Sequence, residues 1–457
     1  MNVKMNVFLL SAIAFVVNLG FGAAMPLIPF LLLYYDGLLT DIPENLGTIS
    51  TAAEIAFQMT VLVAAFMLTR SLLARYFGRL SDSVGRKRVV TTGLALYTLL
   101  SFMYALSTNW IDLLAVRSVQ GVASAMVWPV AEAMLTDSVP WNERGKYMGW
   151  YMTFSNVSFF AGPVLGAYLY KFAIFYLTND VFFALVFPFY VMTAISFVGF
   201  LLSFLTVETV LSPQKILSKK TLLKKPPEPN IKLPPMISRS IKVLYLLGLA
   251  NGIAMGFVAP ISSVFVIQYI TSDPAAMGWL STVAGIAGFV VNYPAGRLSD
   301  RFGRRKLVIT GELASRTATF FMPFVRTFDQ LVGMYSLRSM AFNISSPPFR
   351  ALQADLVPKR LRGKVFGTVQ SMFNFGAALA PIGGILYQIA NSWHFVIFDY
   401  WVPGAAVSFW FSAVIGFAST ILFILYVKEP TPEEKEELSK LDILEQKKLD
   451  KTTLNSH

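Results

Sequence analysis

The chain contains no cysteine and only two histidines, His394 and His457, among its 457 residues. The missing thiols exclude disulfide bonds, thiolate nucleophiles and cysteine-ligated metals, and two imidazoles are too few for a histidine-based metal site. No Gly-x-x-x-x-Gly-Lys-Ser/Thr sequence is present, which argues against direct use of ATP. A Ser-His-Asp set and a zinc motif are missing too. We therefore expect no enzyme, no cofactor and no metal site.

Charge is scarce as well, since only 14% of the residues are charged, while 55% are hydrophobic and the mean hydropathy is +0.58. This composition is typical of an integral membrane protein. A spanning helix needs about 20 mostly apolar residues, and twelve stretches qualify: 6–34, 50–77, 89–107, 110–136, 146–170, 183–208, 242–270, 275–296, 307–325, 328–354, 364–390 and 400–427. We expect the first to be a retained helix rather than a cleaved signal peptide.

One stretch occurs in two similar copies, GRLSDSVGRKR at Gly78–Arg88 and GRLSDRFGRRK at Gly296–Lys306. The two copies are offset by 218 residues. Similar residues recur at the same offset: Asp137 and Asp355, Gly149 and Gly367, Pro163 and Pro381, Gly166 and Gly384. A repeat this long indicates a duplicated half rather than a solenoid. The predicted fold class is therefore all-α and integral to the membrane, with twelve transmembrane helices in two homologous six-helix halves.

The predicted domains follow from these spans. Residues 1–208 form an N-terminal six-helix bundle and residues 242–428 a C-terminal one. Between them, 209–241 is rich in lysine and proline, which is typical of an extended, solvated linker. Residues 429–457 form a polar cytoplasmic tail.

The loops differ sharply in charge. The loops at one side hold most of the basic residues: Arg79, Arg86, Lys87, Arg88, Arg144, Lys146, the linker lysines, Arg297, Arg301, Arg304, Arg305, Lys359, Arg360, Arg362 and Lys364. The loops at the other side hold Asp36, Asp41, Glu44, Asp180, Asp273, Asp329 and Asp399, with Lys171 and Arg326 as their clear bases. We call these sides the basic face and the acidic face. Because basic loops stay cytoplasmic, we expect a cell-membrane protein with both termini in the cytoplasm. The net charge of +12 then reflects topology and anionic lipid rather than nucleic acid.

The repeated stretch supplies glycines for a tight reversal and for close helix approach. An acid there can face a helix N-terminus of the other half, and a base there can pair with an acid at a neighbouring helix end. The residues are Gly78, Arg79, Asp82, Gly85 and Arg86 with Asp137, and in the second copy Gly296, Arg297, Asp300, Gly303 and Arg304 with Asp355.

These residues resemble the signature loop of the major facilitator superfamily, and the resemblance covers roughly residues 6–428. It implies that the charges form a cytoplasmic latch that stabilises the outward-open state. The alternative is that they only set topology. Ser83 departs from the pattern, since the second copy has Arg301, so the first latch is expected to be the weaker one.

Two further motifs resemble parts of the same superfamily. Arg117 and Gln120 on the fourth helix are similar to a motif with an intramembrane arginine that takes part in proton coupling; the alternative is a snorkelling side chain. Gly162, Pro163 and Gly166 on the fifth helix, with Pro26 and Pro29 on the first, resemble helix-bending motifs of the drug/proton antiporter branch. Generic packing of bent helices is the alternative, and the partial copy at Ala380–Gly384 weakens the link with export.

Glu132 and Arg350 differ by 218 and occupy equivalent places in the two halves. Because the resemblance implies that their two helices line the central pathway, we predict that they pair across the halves as an inner gate; the alternative is a local pair of Glu132 with Arg70. Glu312 and Arg316, one turn apart, are expected to form an internal pair. The buried bases (Arg70, Arg117, Arg316, Arg338, Arg350) outnumber the buried acids (Glu132, Glu312), which keeps carriers of anions and sugars open.

Four asparagines inside helices are candidates for substrate binding: Asn18, Asn156, Asn251 and Asn374. Links between helices are the alternative role for these amides. Phe159 and Phe160 are assigned to packing or lipid contact.

The sequence thus predicts a secondary active transporter that works by alternating access. Proton-coupled efflux of small, drug-like molecules is the first interpretation. A symporter or uniporter of sugars or organic anions is the alternative, and a non-transporting membrane sensor is the second alternative. The expected partners are a small-molecule substrate, protons and the lipid bilayer, with no nucleic acid. The resemblance implies a functional monomer.

Overall fold

The computed structural model describes residues 3–140, 143–207, 235–357, 359–397 and 399–429. These ranges are almost entirely helical. The helices of the first half are α1 (Val3–Ala24), α2 (Ile28–Tyr35), α3 (Ala56–Val84), α4 (Arg86–Leu106), α5 (Trp110–Ser138), α6 (Arg144–Phe172) and α7 (Val181–Leu205). Those of the second half are α8 (Pro235–Tyr269), α9 (Pro274–Phe302), α10 (Arg304–Phe321), α11 (Phe328–Asp355), α12 (Lys359–Ala378), α13 (Ala380–Ala390) and α14 (Ala406–Tyr426).

Ten helices within the described ranges are long and apolar enough to cross a membrane. Helices α10 and α11 fall outside this group, and they carry Glu312, Arg316, Arg338 and Arg350. Their position in the repeat is nevertheless clear, because α10 and α11 begin 218 residues after α4 and α5. Glu312 and Arg316 of α10 are tolerated because they lie inside the protein and not in lipid, and they form an ion pair there. With these two, twelve spanning segments form two homologous six-helix halves, as predicted.

Proline interrupts the first segment of the first half and the fifth segment of the second half. Helix α1 ends at Ala24, Met25–Leu27 form a turn, and Pro29 lies in the first turn of α2. Helix α12 ends at Ala378, and Pro381 lies in the first turn of α13. Because proline has no amide hydrogen but fits the first turn of a helix, both predicted spans become two helices.

A short antiparallel hairpin, β1 (His394–Ile397) and β2 (Tyr400–Pro403), precedes α14 at the acidic face. Its tip has Ile397 paired with Tyr400, and Asp399 adopts a φ of 62°. The guanidinium of Arg326 lies 5.2 Å from the ring centroid of Trp401. This hairpin was not predicted from the sequence.

Across the boundary between the halves, α3 packs against α13 and α6 packs against α9. The largest cluster of buried apolar side chains extends through both halves. Helix α8 begins at Pro235, inside the stretch predicted as linker; the rest of that stretch and the predicted tail beyond Glu429 lie outside the described residues.

Candidate functional site

A central cavity of about 680 Å³ lies between the halves. Helices α1, α3, α5 and α6 line it from the first half, and α8 to α11 line it from the second. Twelve of the lining residues are phenylalanine, tryptophan or methionine: Phe21, Phe66, Trp128, Phe159, Phe160, Phe342, Met25, Met59, Met67, Met152, Met255 and Met277. Methionine is flexible and polarisable, so such walls adapt to varied apolar molecules. Phe159 and Phe160, assigned to packing by sequence, are therefore cavity residues.

The charged side chains in this wall are four arginines and one acid: Arg70, Arg117, Arg316, Arg338 and Glu132. Each lies inside a helix at membrane depth, where an ionised group is costly and needs a partner, water or a ligand. The wall therefore has a strong excess of positive charge.

Arg117 is only 3% exposed and has no carboxylate partner among the described residues. Its Nη1 donates to Oε1 of Gln120 at 2.6 Å, and the hydroxyl of Tyr104 donates to the same oxygen at 2.9 Å. The guanidinium carbon lies 5.2 Å from the ring centroid of Phe21 and 5.6 Å from that of Phe66. Ring faces and an amide thus stabilise this cation, while its buried Nε has no hydrogen-bond partner. The burial is greater than a snorkelling residue would have.

Arg316 is held by a buried polar cluster at the other side of the cavity. Its Nη2 donates to Oε2 of Glu312 at 2.7 Å and to Oδ1 of Asn251. Oε1 of Glu312 accepts hydrogen bonds from Asn251 at 3.2 Å and from Ser345 at 3.3 Å. This acid does not line the cavity, so it neutralises Arg316 from behind the wall.

Arg338 comes from α11, and its Nε donates to the hydroxyl of Thr319 at 3.2 Å. No described acid lies within 4.0 Å of it, and the charge of Arg316 is near enough to repel it. The repeat offset makes Arg338 the equivalent of Gln120, and Tyr335 the equivalent of Arg117. The fourth spanning helix of each half thus contributes one arginine to the cavity, Arg117 in the first half and Arg338 in the second. When the two halves are aligned by the repeat offset, these positions lie about one helical turn apart.

Glu132 is the one acid of the described cavity wall, and within the described chain it has no hydrogen bond or ion pair within 4.0 Å. The charge of Arg70 attracts it more strongly than that of Arg350 does. Arg350 is exposed and does not line the cavity. The predicted gate between Glu132 and Arg350 is thus not formed in this conformation, and it stays a prediction for the state closed at the basic face.

The cavity is closed at the acidic face by hydrogen bonds between the halves. The amide of Ile49 donates to the carbonyl of Ile267, and that of Ser272 donates to the carbonyl of Gly47, each at 2.9 Å. Nε2 of Gln388 donates to the carbonyl of Glu54 at 2.5 Å. Several side-chain hydrogen bonds join described residues of the two halves. The one nearest the basic face joins Asn374 and Ser71 at 3.4 Å.

A charged cluster accompanies this closure. Lys171 forms an ion pair of 3.2 Å with Asp273, and the hydroxyl of Tyr170 donates to Oε2 of Glu44 at 3.1 Å. Burial, followed by the nearby charge of Asp273, raises the pKa of the Glu44 carboxyl above its ordinary value, although Tyr170 and Lys171 act in the opposite direction. Closing the acidic face thus favours the protonated form of Glu44.

The repeated stretches lie at the basic face. Each is helical except for one glycine, Gly85 with φ 102° or Gly303 with φ 92°, and these values suit glycine alone. Arg86 forms ion pairs with Asp137 and, at 3.3 Å, with Asp82. Arg304 pairs with Asp355 at 2.6 Å.

All the ion pairs described at these two stretches remain within one half. Nothing lies within 4 Å of a Cβ placed at Gly78 or Gly296, so the close approach expected there is absent in this conformation. Arg79 and Arg297 are exposed, and the side chain of Asp300 lies outside the described part. A latch across the halves therefore stays a prediction for the alternative state.

The glycines of the helix-bending motifs hold α1 against α6. A Cβ at Gly162 would lie 2.6 Å from the carbonyl oxygen of Leu19, and one at Gly166 would lie 2.1 Å from that of Ala23. Pro163 lies inside α6, and Pro26 lies in the turn that ends α1. These motifs set the position of two cavity helices.

The four candidate asparagines divide into two groups. Asn18 and Asn251 line the cavity, although Asn18 donates to the carbonyl of Ser155 at 3.2 Å and Asn251 belongs to the Arg316 cluster. Asn156 and Asn374 do not line it. Sequence reasoning did not choose Arg338 as a site residue, although its equivalence with Gln120 was available as a signal.

Comparisons with known proteins agree with this architecture. The family profile described as Major Facilitator Superfamily matches residues 10–242 and 244–453. The chain is 25% identical over 368 residues to the multidrug resistance protein MdtG of Salmonella arizonae, covering 79% of this chain and 84% of that protein. It is 27% identical over 164 residues to the quinolone resistance protein NorA of Staphylococcus aureus, covering 36% and 38%.

Two solved structures share the fold. The inward-open conformation of the xylose transporter XylE from E. coli gives a TM-score of 0.66 at 15% identity and covers 95% of this chain and 99% of that one. The crystal structure of the nucleoside transporter NupG gives 0.61 at 12% identity and covers 93% and 100%. Since the profile spans both halves, which surround one central cavity, the chain belongs to the Major Facilitator Superfamily of membrane transporters.

Proposed function

We propose that this protein exports small, drug-like molecules across the cell membrane in exchange for protons. In this proposal the basic face and both termini are cytoplasmic, and a single chain is the working unit. The conformation described above then accepts its substrate from the cytoplasm, because the acidic face is closed.

The observation that carries the proposal is Glu132. It lines the cavity and has no hydrogen bond or ion pair to another described residue, with the charge of Arg70 as its main attraction. A carboxylate in this setting can take up a proton when the acidic face opens and release it to the cytoplasm. The similarity to MdtG and NorA, whose names refer to multidrug and quinolone resistance, supports export.

Alternating access supplies the mechanism. Opening the acidic face requires the ion pair of Lys171 with Asp273 and the backbone hydrogen bonds beside it to break. Closing the basic face brings Arg350 toward Glu132. The substrate and Arg350 then compete for the carboxylate of Glu132.

The excess of arginine in the cavity favours a second candidate, a carrier that moves an organic anion together with protons. An anion and a proton neutralise each other's charge, so both would occupy the cavity at once. The direction of proton movement separates the two candidates.

The test uses proteoliposomes that contain the purified chain and a pH-sensitive dye, with an imposed pH gradient. Addition of an exported drug-like compound should trigger proton movement in the opposite direction, and Glu132→Gln should abolish that movement. Glu54→Gln changes an exposed acid at the acidic face and is the matched control. Proton movement in the same direction as the substrate supports the second candidate, and transport without proton movement refutes both.

A further inference from the structure

The charges of the cavity wall indicate which charge the transported molecule should have. Glu312 neutralises Arg316 from behind the wall, which leaves Arg70, Arg117 and Arg338 against the single carboxylate of Glu132. None of these three arginines has an ion pair within 4.0 Å to an acid that the structure describes. The cavity is therefore strongly positive, and an anion would relieve this imbalance.

Arg117 and Arg338 are placed to act together. They lie on α5 and α11, helices that the repeat relates, and they reach one cavity from opposite halves. Arg117 keeps a buried Nε without a partner, and the one hydrogen bond described for Arg338 uses its Nε, so its two terminal nitrogens are available. Guanidinium groups bind carboxylates and related oxyanions through two parallel hydrogen bonds.

Much of the rest of the wall is apolar, although serines and asparagines such as Ser124, Ser339 and Asn343 also line it. Phe21 and Phe66 lie beside Arg117, while Tyr335 and Phe342 lie about one turn before and one turn after Arg338 on α11. A small hydrophilic anion would leave these surfaces without contact, whereas an aromatic or aliphatic body would bury them.

We propose that the cargo is a lipophilic organic anion, with one carboxylate- or sulfonate-type group bound between Arg117 and Arg338 and an apolar body packed on the aromatic and methionine wall. The inference rests on the proposed function only in taking this cavity as the transport site. The proteoliposome experiment described above determines whether this anion moves against the protons or together with them.

The test is isothermal titration of the purified full chain with three probes of one shape and different charge: naphthalene-sulfonate, naphthol and naphthyl-trimethylammonium. The sulfonate should bind at least about tenfold more tightly than the ammonium. Arg338→Gln should weaken sulfonate binding about tenfold, the size expected for one charge-assisted hydrogen bond, and should leave naphthol binding unchanged. Arg338→Lys should retain the preference for the anion.

Two further variants sharpen this test. Glu132→Gln removes the only described acid of the wall, so it should strengthen sulfonate binding and weaken ammonium binding. Arg326→Gln removes an exposed arginine outside the cavity and should change neither affinity. Circular dichroism and a thermal melt of each variant verify that it folds.

The outcomes separate the inference from the proposed function. If the sulfonate does not bind, or if Arg338→Gln leaves its affinity intact, the anion site is refuted even when the ammonium drives proton exchange in proteoliposomes. If the sulfonate binds through Arg338 and moves together with protons, the anion site stands and the exchange mechanism is refuted.

Discussion

Lys171, in the last turn of α6, forms an ion pair with Asp273, the N-cap residue of α9, with 3.2 Å between Nζ and Oδ2. This pair joins the two halves of the transporter at the acidic face. In the proposed cycle this ion pair breaks when that face opens, so it should contribute to the balance between the two states.

Lys171→Ala should shift the protein toward the state that is open at the acidic face. Both side chains are partly exposed, at 33% and 26%, so the shift should correspond to only about 0.2–1 kcal/mol. Because the chain has no native cysteine, cysteines at Ile111 and Asp329 can carry spin labels on the acidic ends of α5 and α11. The distance between the two labels is short when the acidic face is closed and long when it is open. In Lys171→Ala the population with the long distance should increase.

Lys146→Ala is the matched control, since it removes a lysine from the opposite end of α6. Asp273→Asn should reproduce the effect of Lys171→Ala, because the amide oxygen still caps α9 while the charge is lost. An unchanged distance distribution in both variants would show that this ion pair does not hold the halves together.

Gly166→Ala should destabilise the protein. Its Cβ would lie 2.1 Å from the carbonyl oxygen of Ala23, so α1 and α6 would have to separate, at a cost of about 1–3 kcal/mol. Gly149→Ala on the same helix meets nothing within 4 Å and should leave the melting temperature unchanged or slightly raised. Equal melting temperatures for the two variants would contradict the close packing of α1 against α6.

Glu44→Gln should stabilise the protein at neutral pH and have little effect at low pH. The pKa of the Glu44 carboxyl is raised in the folded protein from an ordinary 4.5, so the folded state binds its proton more tightly than the unfolded state. That contribution is fully present below the ordinary pKa and is lost as the pH rises through the raised value. Thermal melts of both proteins between about pH 4.5 and 7.5 measure the difference, which should grow with pH; a variant that is less stable at neutral pH would contradict the account.

Glu312→Gln should destabilise the protein strongly. It leaves Arg316, which is 2% exposed, as a buried charge without its carboxylate, a change that typically costs about 3–5 kcal/mol. Adding Arg316→Met removes the charge and should restore much of the melting temperature. If the double variant melts below Glu312→Gln, Arg316 stabilises the fold through other contacts.

The sequence was sufficient for the twelve spans because a bilayer demands long apolar helices, and for the two halves because the repeat keeps one offset of 218 residues. The repeat also predicted the ion-pair partners of Arg86 and Arg304, because Asp137 and Asp355 recur at that offset. Such features depend on local composition and on spacing along the chain.

The cavity wall could not be read in the same way, because it depends on how the helices are rotated about their axes. Phe159 and Phe160 look like lipid-facing residues in the sequence, yet they line the cavity. Asn156 and Asn374 look like binding groups, yet they do not line it. The pair of Glu132 and Arg350 depends on a conformation that is closed at the basic face, and spacing does not specify which state a structure adopts.

The most direct test of alternating access is a pair of distance measurements on the same protein. Spin labels at Ser83 and Arg301, which the repeat relates, report the basic face, and those at Ile111 and Asp329 report the acidic face. Substrate probes, changes of pH and Lys171→Ala should shorten the first distance whenever they lengthen the second. A first distance that stays constant under all these conditions would contradict transport by rocking halves and would favour a membrane sensor.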